Sequence, residues 1–134
     1  MSATLSEGVK KLFLEPNIAH VATIMPDGSP QVTPVWVDLE GGRILVNTAE
    51  GRAKPRNVRG DPRVAISITK QDNPYAFAAI RGRVVEMRHE GADELIDKLA
   101  KKYIGQDRYP WRLPGEQRLI LVIEPERVTS MQVD

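Results

Sequence analysis

Four cations occur within eight residues, in the segment that runs from Arg52 to Arg59. Strand-like sequence precedes it, and Ala53 to Arg59 is predicted to form a short helix. Backbone N–H groups at the start of a helix are unpaired and the macrodipole is positive there, so Arg52, Lys54 and Arg56 each add a repulsion of a few tenths to ~1 kcal/mol. A bound anion would reverse that sign, and phosphate is the natural ligand.

The alternative for this basic segment is that its cations are solvated or paired with Glu50 and Asp61. The predicted helix Gly91–Ile104 has the ordinary arrangement, because Asp93 and Glu94 open it and Lys101, Lys102 and Gly105 close it. The inverted order at the start of the 53–59 helix therefore carries more information than a charge count.

A second informative segment is Gln31-Val32-Thr33-Pro34-Val35-Trp36. Pro34 interrupts an alternating β pattern and cannot donate to a ladder, so this strand is an edge, is bulged, or leaves a neighbouring carbonyl free. Each case lets a flat ring approach the backbone. A plain edge-strand proline is the alternative, and Trp36 is more typical of a core or a dimer interface.

Other kinds of site have little support. The chain has no cysteine, and His20 and His89 lack the spacing of a zinc site, so no metal is expected. There is no G-x-S-x-G elbow, G-x-G-x-x-G turn or P-loop, which argues against a hydrolase and a Rossmann or P-loop nucleotide site. Three aromatic side chains lie in or beside loops that contain proline, where they could close a ring-shaped pocket across a dimer or simply pack: Tyr75, Tyr109 and Trp111.

The elements that must position these segments begin with an amphipathic helix. It starts after Ser6, carries the apolar side chains of Val9, Leu12 and Phe13, and is stopped by Pro16. Turn residues separate the strand-like runs that follow and predict three strands in meander order. These strands are Ile18–Met25, Gln31–Leu39 and Arg43–Thr48.

Further strands are predicted at Val64–Thr69, at Tyr75–Met87 with a possible bulge at Gly82, and at Arg118–Gln132. Six closely spaced strands and three modest helices favour a mainly β (α+β) fold, a small barrel rather than a sandwich or a parallel sheet.

The 134 residues fit one domain, 1–134, and the formal net charge of +1 gives no bulk field that would attract a nucleic acid or a membrane. No segment approaches the ~20 apolar residues that cross a bilayer, and no secretory signal is recognisable. Together with the absence of cysteine, these features make the cytoplasm the expected location.

The pattern T-x-x-x-R-x-K-x-x-N, formed by Thr48, Arg52, Lys54 and Asn57 and followed by Asp61-Pro62-Arg63, resembles the cofactor-phosphate segment of the pyridoxamine 5′-phosphate oxidase-like superfamily. Within it the chain is most similar to the small reductases that depend on the deazaflavin coenzyme F420. The resemblance implies a six-stranded antiparallel split β-barrel of the FMN-binding type with short flanking helices. It also implies a homodimer whose pocket lies between two subunits.

The resemblance further implies a role for each matching residue. Arg52 and Lys54 would hold the cofactor phosphate, Asn57 would bind it or the ribityl chain, and Arg56 would reach the same anion or a glutamate tail. One strand would lie along the tricyclic ring, the strand formed by Gln31, Val32, Thr33, Pro34 and Val35. Thr48 completes the set of residues expected to bind the cofactor. The surplus of cations favours coenzyme F420, with FMN as the alternative.

The function implied is hydride transfer between reduced coenzyme F420 and an unsaturated or quinone-like small-molecule acceptor, because a flavin-type ring carries its own redox chemistry. No catalytic side chain or proton donor is assigned. The alternatives are an FMN-dependent oxidase or reductase, a non-catalytic flavin- or haem-binding protein, and an interaction domain with an empty barrel.

Overall fold

The computed structural model describes residues 2–133, which form three α-helices and seven β-strands. The helices are α1 (Glu7–Leu14), α2 (Ala53–Gly60) and α3 (Ala92–Ile104). The strands are β1 (Ala19–Ile24), β2 (Pro30–Val35), β3 (Val37–Glu40), β4 (Arg43–Ala49), β5 (Arg63–Lys70), β6 (Asn73–Arg88) and β7 (Arg118–Met131). None of the helices in this part of the chain is long and apolar enough to span a bilayer.

The strands form one antiparallel sheet in the order β2-β1-β5-β6-β7-β4-β3. Its two edge strands, β2 and β3, are consecutive in the chain and are joined by Trp36 alone. The sheet must therefore curl until its opposite edges meet at Trp36, although no ladder between β2 and β3 closes it in residues 2–133. The mainly β, split-barrel expectation is confirmed, but the strand count of six was wrong.

The extra strand arises because the predicted strand Gln31–Leu39 breaks at Trp36. On either side of the break the chain pairs with different neighbours, β2 with β1 and β3 with β4. The backbone of Val37 instead meets α3: its N–H donates to Tyr103 Oη at 3.2 Å and its carbonyl accepts from Lys102 Nζ at 2.7 Å. Side chains of α3 thus satisfy polar groups that a continuous ladder would have used.

The core has two parts because successive residues of a strand face opposite sides of the sheet. The larger cluster lies inside the curl and is covered by α1, which contributes Val9, Leu12 and Phe13. The smaller cluster lies between α3 and the other face of β4 and β7, and it contains Leu45, Ala92, Leu95, Ile96, Leu99, Ile120 and Val122. The buried run Leu119–Ile123 serves both clusters, and so fixes α3 beside β4.

The bulge expected in the long strand is confirmed at Gly82. The register of β6 against β7 shifts between Arg81 and Gly82, where the chain passes close to the backbone of Glu124 and Pro125. A Cβ atom at position 82 would overlap with the carbonyl oxygen of Glu124. Only glycine allows the two strands to approach this closely.

Gly82→Ala is expected to lower the free energy of unfolding by about 2–3 kcal/mol, because the strands must separate to admit the methyl group. Urea denaturation followed by circular dichroism measures this difference. Gly60→Ala is the matched control, since a Cβ there meets nothing within 4 Å at the exposed end of α2. Equal stability of the two variants would show that the bulge does not require glycine.

Candidate functional site

Helix α2 begins without the groups that normally stabilise a helix start. Its N-cap residue is Arg52, which makes no side-chain capping bond, and its first turn contains no acidic residue. Helix α3 has Asp93 and Glu94 in its first turn and Lys101 and Lys102 in its last. The charge inversion predicted for α2 therefore lies at a real helix terminus, where an anion would be stabilised.

Of the two carboxylates expected as alternative partners, Glu50 pairs with Arg59 of the basic segment, as that alternative predicts, whereas Asp61 pairs with Arg63 outside the segment. Glu50 Oε2 accepts from Arg59 at 2.8 Å, and Asp61 Oδ2 accepts from Arg63 at 2.7 Å. Those two hydrogen bonds are the main reason that the pKa of each carboxyl falls to about 2. Within residues 2–133, neither Lys54 nor Arg56 forms an ion pair. The start of α2 therefore keeps most of its positive charge.

Lys54 is half-buried between α2 and the edge strand β2. Its Nζ donates to Thr33 Oγ1 at 2.9 Å, a contact that joins two of the predicted site residues. Burial, and then the charge of Arg52, lower the pKa of the Lys54 ammonium group below its usual range. An anion beside Lys54 would oppose both effects.

Thr48, at the end of β4, holds a polar atom without a partner. The residue is 1% exposed, and its Oγ1 is the one buried side-chain oxygen or nitrogen in residues 2–133 that makes no hydrogen bond. Buried hydroxyl groups are nearly always satisfied, because an unmade bond costs about 1–3 kcal/mol. Gly51, at φ +87°, then turns the chain from β4 into α2.

Thr48, Arg52 and Lys54 line one cavity of about 320 Å³, a size at the lower end of small-molecule sites. The other lining residues are Ile18, Pro34, Val35, Trp36, Asn47, Ile96, Leu99, Tyr109, Trp111 and Arg118. This lining, drawn from the described residues, contains three cations and no carboxylate. Arg52 and Lys54 lie at the start of α2, whereas the third cation, Arg118, lies over the ring of Tyr109.

Arg118, a third cation of the cavity, is buried and tightly held. It donates to Asn47 Oδ1 at 2.9 Å and to Glu116 Oε1 at 2.8 Å, and it lies over the ring of Tyr109 at 5.0 Å. Glu116 also accepts from Arg52 at 3.3 Å. Burial raises the pKa of Glu116, but Arg118 and Arg52 outweigh that effect and leave it below the usual range. Glu116 thus restrains Arg52 without neutralising Lys54.

The remaining predicted site residues lie outside this cavity. Arg56 and Asn57 line a separate recess, and Asn57 Nδ2 donates to Thr23 Oγ1 at 3.0 Å, which ties α2 to β1. Gln31 approaches that amide only at 3.5 Å, and Val32 is exposed on the edge strand. The predicted residues in or next to the cavity are Thr33, Pro34, Val35, Thr48, Arg52 and Lys54.

Sequence reasoning missed Asn47, Arg118 and Glu116. It assigned Trp36 to a core or a dimer interface and left Tyr109 and Trp111 open between a pocket and packing. A polar residue inside an apolar strand was the available signal for Asn47, and a cation directly before the apolar run Leu119–Ile123 was the signal for Arg118. Neither signal reveals that the two side chains meet, because 71 residues separate them.

Neither histidine lines the cavity. His20 is exposed on β1, and His89 Nε2 lies 2.6 Å from Glu50 Oε2. Residues 2–133 contain no group of three or more His, Asp or Glu side chains arranged to hold a metal ion.

Comparison with known proteins matches residues 5–132 to the family model described as pyridoxamine 5′-phosphate oxidase. The chain belongs to the pyridoxamine 5′-phosphate oxidase family. The resemblance drawn from Thr48–Arg63 is therefore confirmed. Membership indicates an oxidoreductase that uses a flavin or deazaflavin cofactor.

Among solved structures, an F420 reductase is 31% identical, with a TM-score of 0.81, and the alignment covers 93% of this chain and 98% of that one. HupZ from group A Streptococcus is 20% identical, with a TM-score of 0.69 and coverage of 96% and 95%. General stress protein 26 from Bacillus anthracis is 14% identical, with a TM-score of 0.69 and coverage of 96% and 94%. These last two show a shared fold.

Thr48→Val is expected to leave the free energy of unfolding unchanged or to raise it by up to about 1 kcal/mol, since it removes a buried hydroxyl that has no partner. Thr23→Val, the matched control, removes the acceptor of Asn57 Nδ2 and should lower stability by about 1–2 kcal/mol. Urea denaturation of the ligand-free protein measures both. If the two variants lose equal stability, the Thr48 hydroxyl is satisfied in solution.

Proposed function

We propose that this chain is an oxidoreductase that transfers a hydride between reduced coenzyme F420 and an unsaturated or quinone-like small molecule. The observation that carries the proposal is the unpartnered hydroxyl of Thr48 beside Lys54 and Arg52 at the start of α2. A phosphate there would accept a hydrogen bond from Thr48 and would offset the charges of both cations. Similarity to an F420 reductase over most of both chains supports the choice of coenzyme.

In this proposal, different residues of the cavity bind different parts of the cofactor. Arg52, Lys54 and Thr48 hold the phosphate, and the edge strand β2 lies along the ring. Pro34 and Val35 contribute ring contacts, since both line the cavity. Thr33 now accepts a hydrogen bond from Lys54, and it would lose that bond if the ammonium group bound the phosphate.

Asn57 and Arg56, which lie outside the cavity, would contact other groups of the cofactor than the phosphate. The amide nitrogen of Asn57 already donates to Thr23, and its carbonyl oxygen accepts from Arg56 Nη2 at 3.5 Å. That oxygen can accept a second bond, so it is the atom that would meet a hydroxyl of the ribityl chain. Arg56 is exposed and forms no ion pair within residues 2–133, which suits a flexible carboxylate tail better than a compact phosphate. Its distance from the cavity favours coenzyme F420 over FMN, which is the second candidate.

In the proposed reaction, the residues of this chain bind the cofactor and the acceptor, orient them towards each other and exclude water. The deazaflavin, when bound, supplies the hydride from its central ring carbon. Trp36, Tyr109, Ile96 and Leu99 form an apolar wall against which a flat acceptor is held. No side chain is assigned as acid or base.

A homodimer is the proposed assembly. The outer face of the sheet carries small side chains side by side, with Ala22 opposite Ala65 and Ser67 opposite Ala79. Such a face allows close approach of a second sheet, and exposed Tyr75 lies on the same strand as Ala79.

Sedimentation equilibrium should therefore give about twice the 15.0 kDa of one chain. Ala79→Arg places a charge on the small-residue face and is expected to shift the mass towards one chain. Glu94→Ala, at an exposed position of α3 over β4 and β7, is the control and should leave the dimer intact. A single-chain mass for the unmodified protein would contradict the assembly.

Fluorescence titration of the apoprotein should show tighter binding of coenzyme F420 than of FMN. Lys54→Ala is expected to weaken coenzyme binding about tenfold or more, which corresponds to about 1.4 kcal/mol, because it removes a charge-assisted bond to the phosphate. Thr48→Val should weaken it less, since a neutral hydroxyl contributes less.

Arg127→Gln is the matched control, because it removes the same charge from an exposed position on β7 and not from α2. The affinity of the unmodified protein should fall as the pH rises through the lowered pKa of Lys54, since only the protonated ammonium attracts phosphate. Lys54→Arg should abolish that fall. Tighter FMN binding would favour the second candidate, and no binding of either would refute both.

A further inference from the structure

Trp111, in the loop between α3 and β7 (residues 105–117), has a largely exposed aromatic side chain. Trp111 lines the cavity and yet remains 59% exposed. Its ring centroid lies 5.7 Å from that of Tyr109, edge to face, and 6.2 Å from that of Trp36. The rings of Tyr109 and Trp36 thus pack against one part of the indole, and the rest of its surface is exposed.

A single carboxylate on α3 holds this loop. Asp97 Oδ1 accepts from the backbone N–H of Tyr109 at 2.9 Å and from Arg112 Nη2 at 3.0 Å. These two donors flank Trp111 in sequence. Since Ile96 and Leu99 of the same helix line the cavity, Asp97 fixes the indole relative to that wall.

Trp111 belongs to an aromatic group in the cavity lining, since its ring contacts those of Trp36 and Tyr109. The residues proposed to hold the phosphate, Lys54, Arg52 and Thr48, lie on other elements, at the start of α2 and the end of β4. Burying the exposed surface of an indole against an apolar ligand is favourable, and a flat conjugated ring buries a large area of it. The uncovered indole is therefore suited to a second, apolar ligand.

We propose that Trp111 contacts the ring of the acceptor and sets specificity for it, and that Asp97 is a positioning residue that holds Trp111 there. This inference rests on the proposed function, because it takes Lys54, Arg52 and Thr48 as the cofactor's part of the cavity. It assigns roles to two residues that bear on the acceptor and not on the phosphate.

The test uses 2-methyl-1,4-naphthoquinone as the acceptor probe, with the protein loaded with oxidised coenzyme F420 so that no turnover occurs. Equilibrium dialysis gives the Kd of the probe, and a separate titration gives the Kd of the coenzyme. Trp111→Ala and Asp97→Ala are each expected to raise the probe Kd about tenfold and to leave the coenzyme Kd within twofold. Asp97→Asn, which keeps one acceptor oxygen, should lie between Asp97→Ala and the unmodified protein.

Asp107→Asn is the matched control. Asp107 also pairs the loop with α3, through Lys101 at 3.3 Å, but it is highly exposed and does not flank Trp111. It should leave the probe Kd within twofold. In steady-state assays Asp97→Ala should raise KM for the probe with kcat within twofold, because it removes uniform binding.

A spectroscopic measurement follows Trp111 directly. The chain has two tryptophans, so Trp36→Phe leaves Trp111 as the sole indole emitter. The probe should quench that emission at saturation, and adding Asp97→Ala should reduce the quenching at the same probe concentration.

Normal coenzyme binding together with an unchanged probe Kd in Trp111→Ala and Asp97→Ala would overturn this inference and leave the proposed function intact. A tenfold loss of coenzyme affinity in Trp111→Ala would also overturn it, since the indole would then belong to the cofactor site. If the unmodified protein binds no coenzyme, the proposed function fails; the same variants titrated with the probe alone then decide whether Trp111 forms an aromatic site.

Discussion

Positive charge held at the start of α2 is the constraint on which the site depends. Lys54 is half-buried with Thr33 as its hydrogen-bond acceptor, and Arg52 shares Glu116 with the more deeply buried Arg118. The nearby carboxylates of Glu50 and Asp61 are bound to Arg59 and Arg63. Within residues 2–133, Lys54 thus has no carboxylate partner at the helix terminus, an arrangement that a bound anion would stabilise.

The curl of the sheet brings the rest of the site to this charge. Because β2 and β3 lie on opposite edges and are joined by Trp36 alone, the crossing point faces both α2 and the end of α3. Tyr103 stacks on Trp36 with centroids 5.4 Å apart and also bonds to the backbone of Val37. Trp36 therefore connects β2, where Thr33 contacts Lys54, to the aromatic residues of the cavity and α3.

Local patterns in the sequence predicted most of the elements, because caps, turns and alternation act over a few residues. The charge inversion of α2 and the glycine bulge in β6 are of this kind. The break at Trp36 was not predictable, since it depends on Tyr103 and Lys102 of a distant helix. Arg56 was expected to join Lys54, but two residues correspond to about 200° around a helix, which directs them to different sides.

The buried Asn47–Arg118–Glu116 contacts show why the site could be predicted only in part. Each residue looks ordinary in its own segment, and only the pairing of β4 with β7 brings Asn47 next to Arg118. Long-range pairing of this kind leaves no local signal. The residues proposed to hold the phosphate were easier to find, because their chemistry and their spacing lie within one short segment, from Thr48 to Lys54.

A crystal structure of the chain with coenzyme F420 bound tests the central claim most directly. The account predicts that the phosphate lies within hydrogen-bond distance of Lys54 Nζ and Thr48 Oγ1, with the Lys54–Thr33 bond broken. A phosphate bound instead in the basic recess of Arg63, Arg81 and Arg127, with Lys54 still bonded to Thr33, would contradict it.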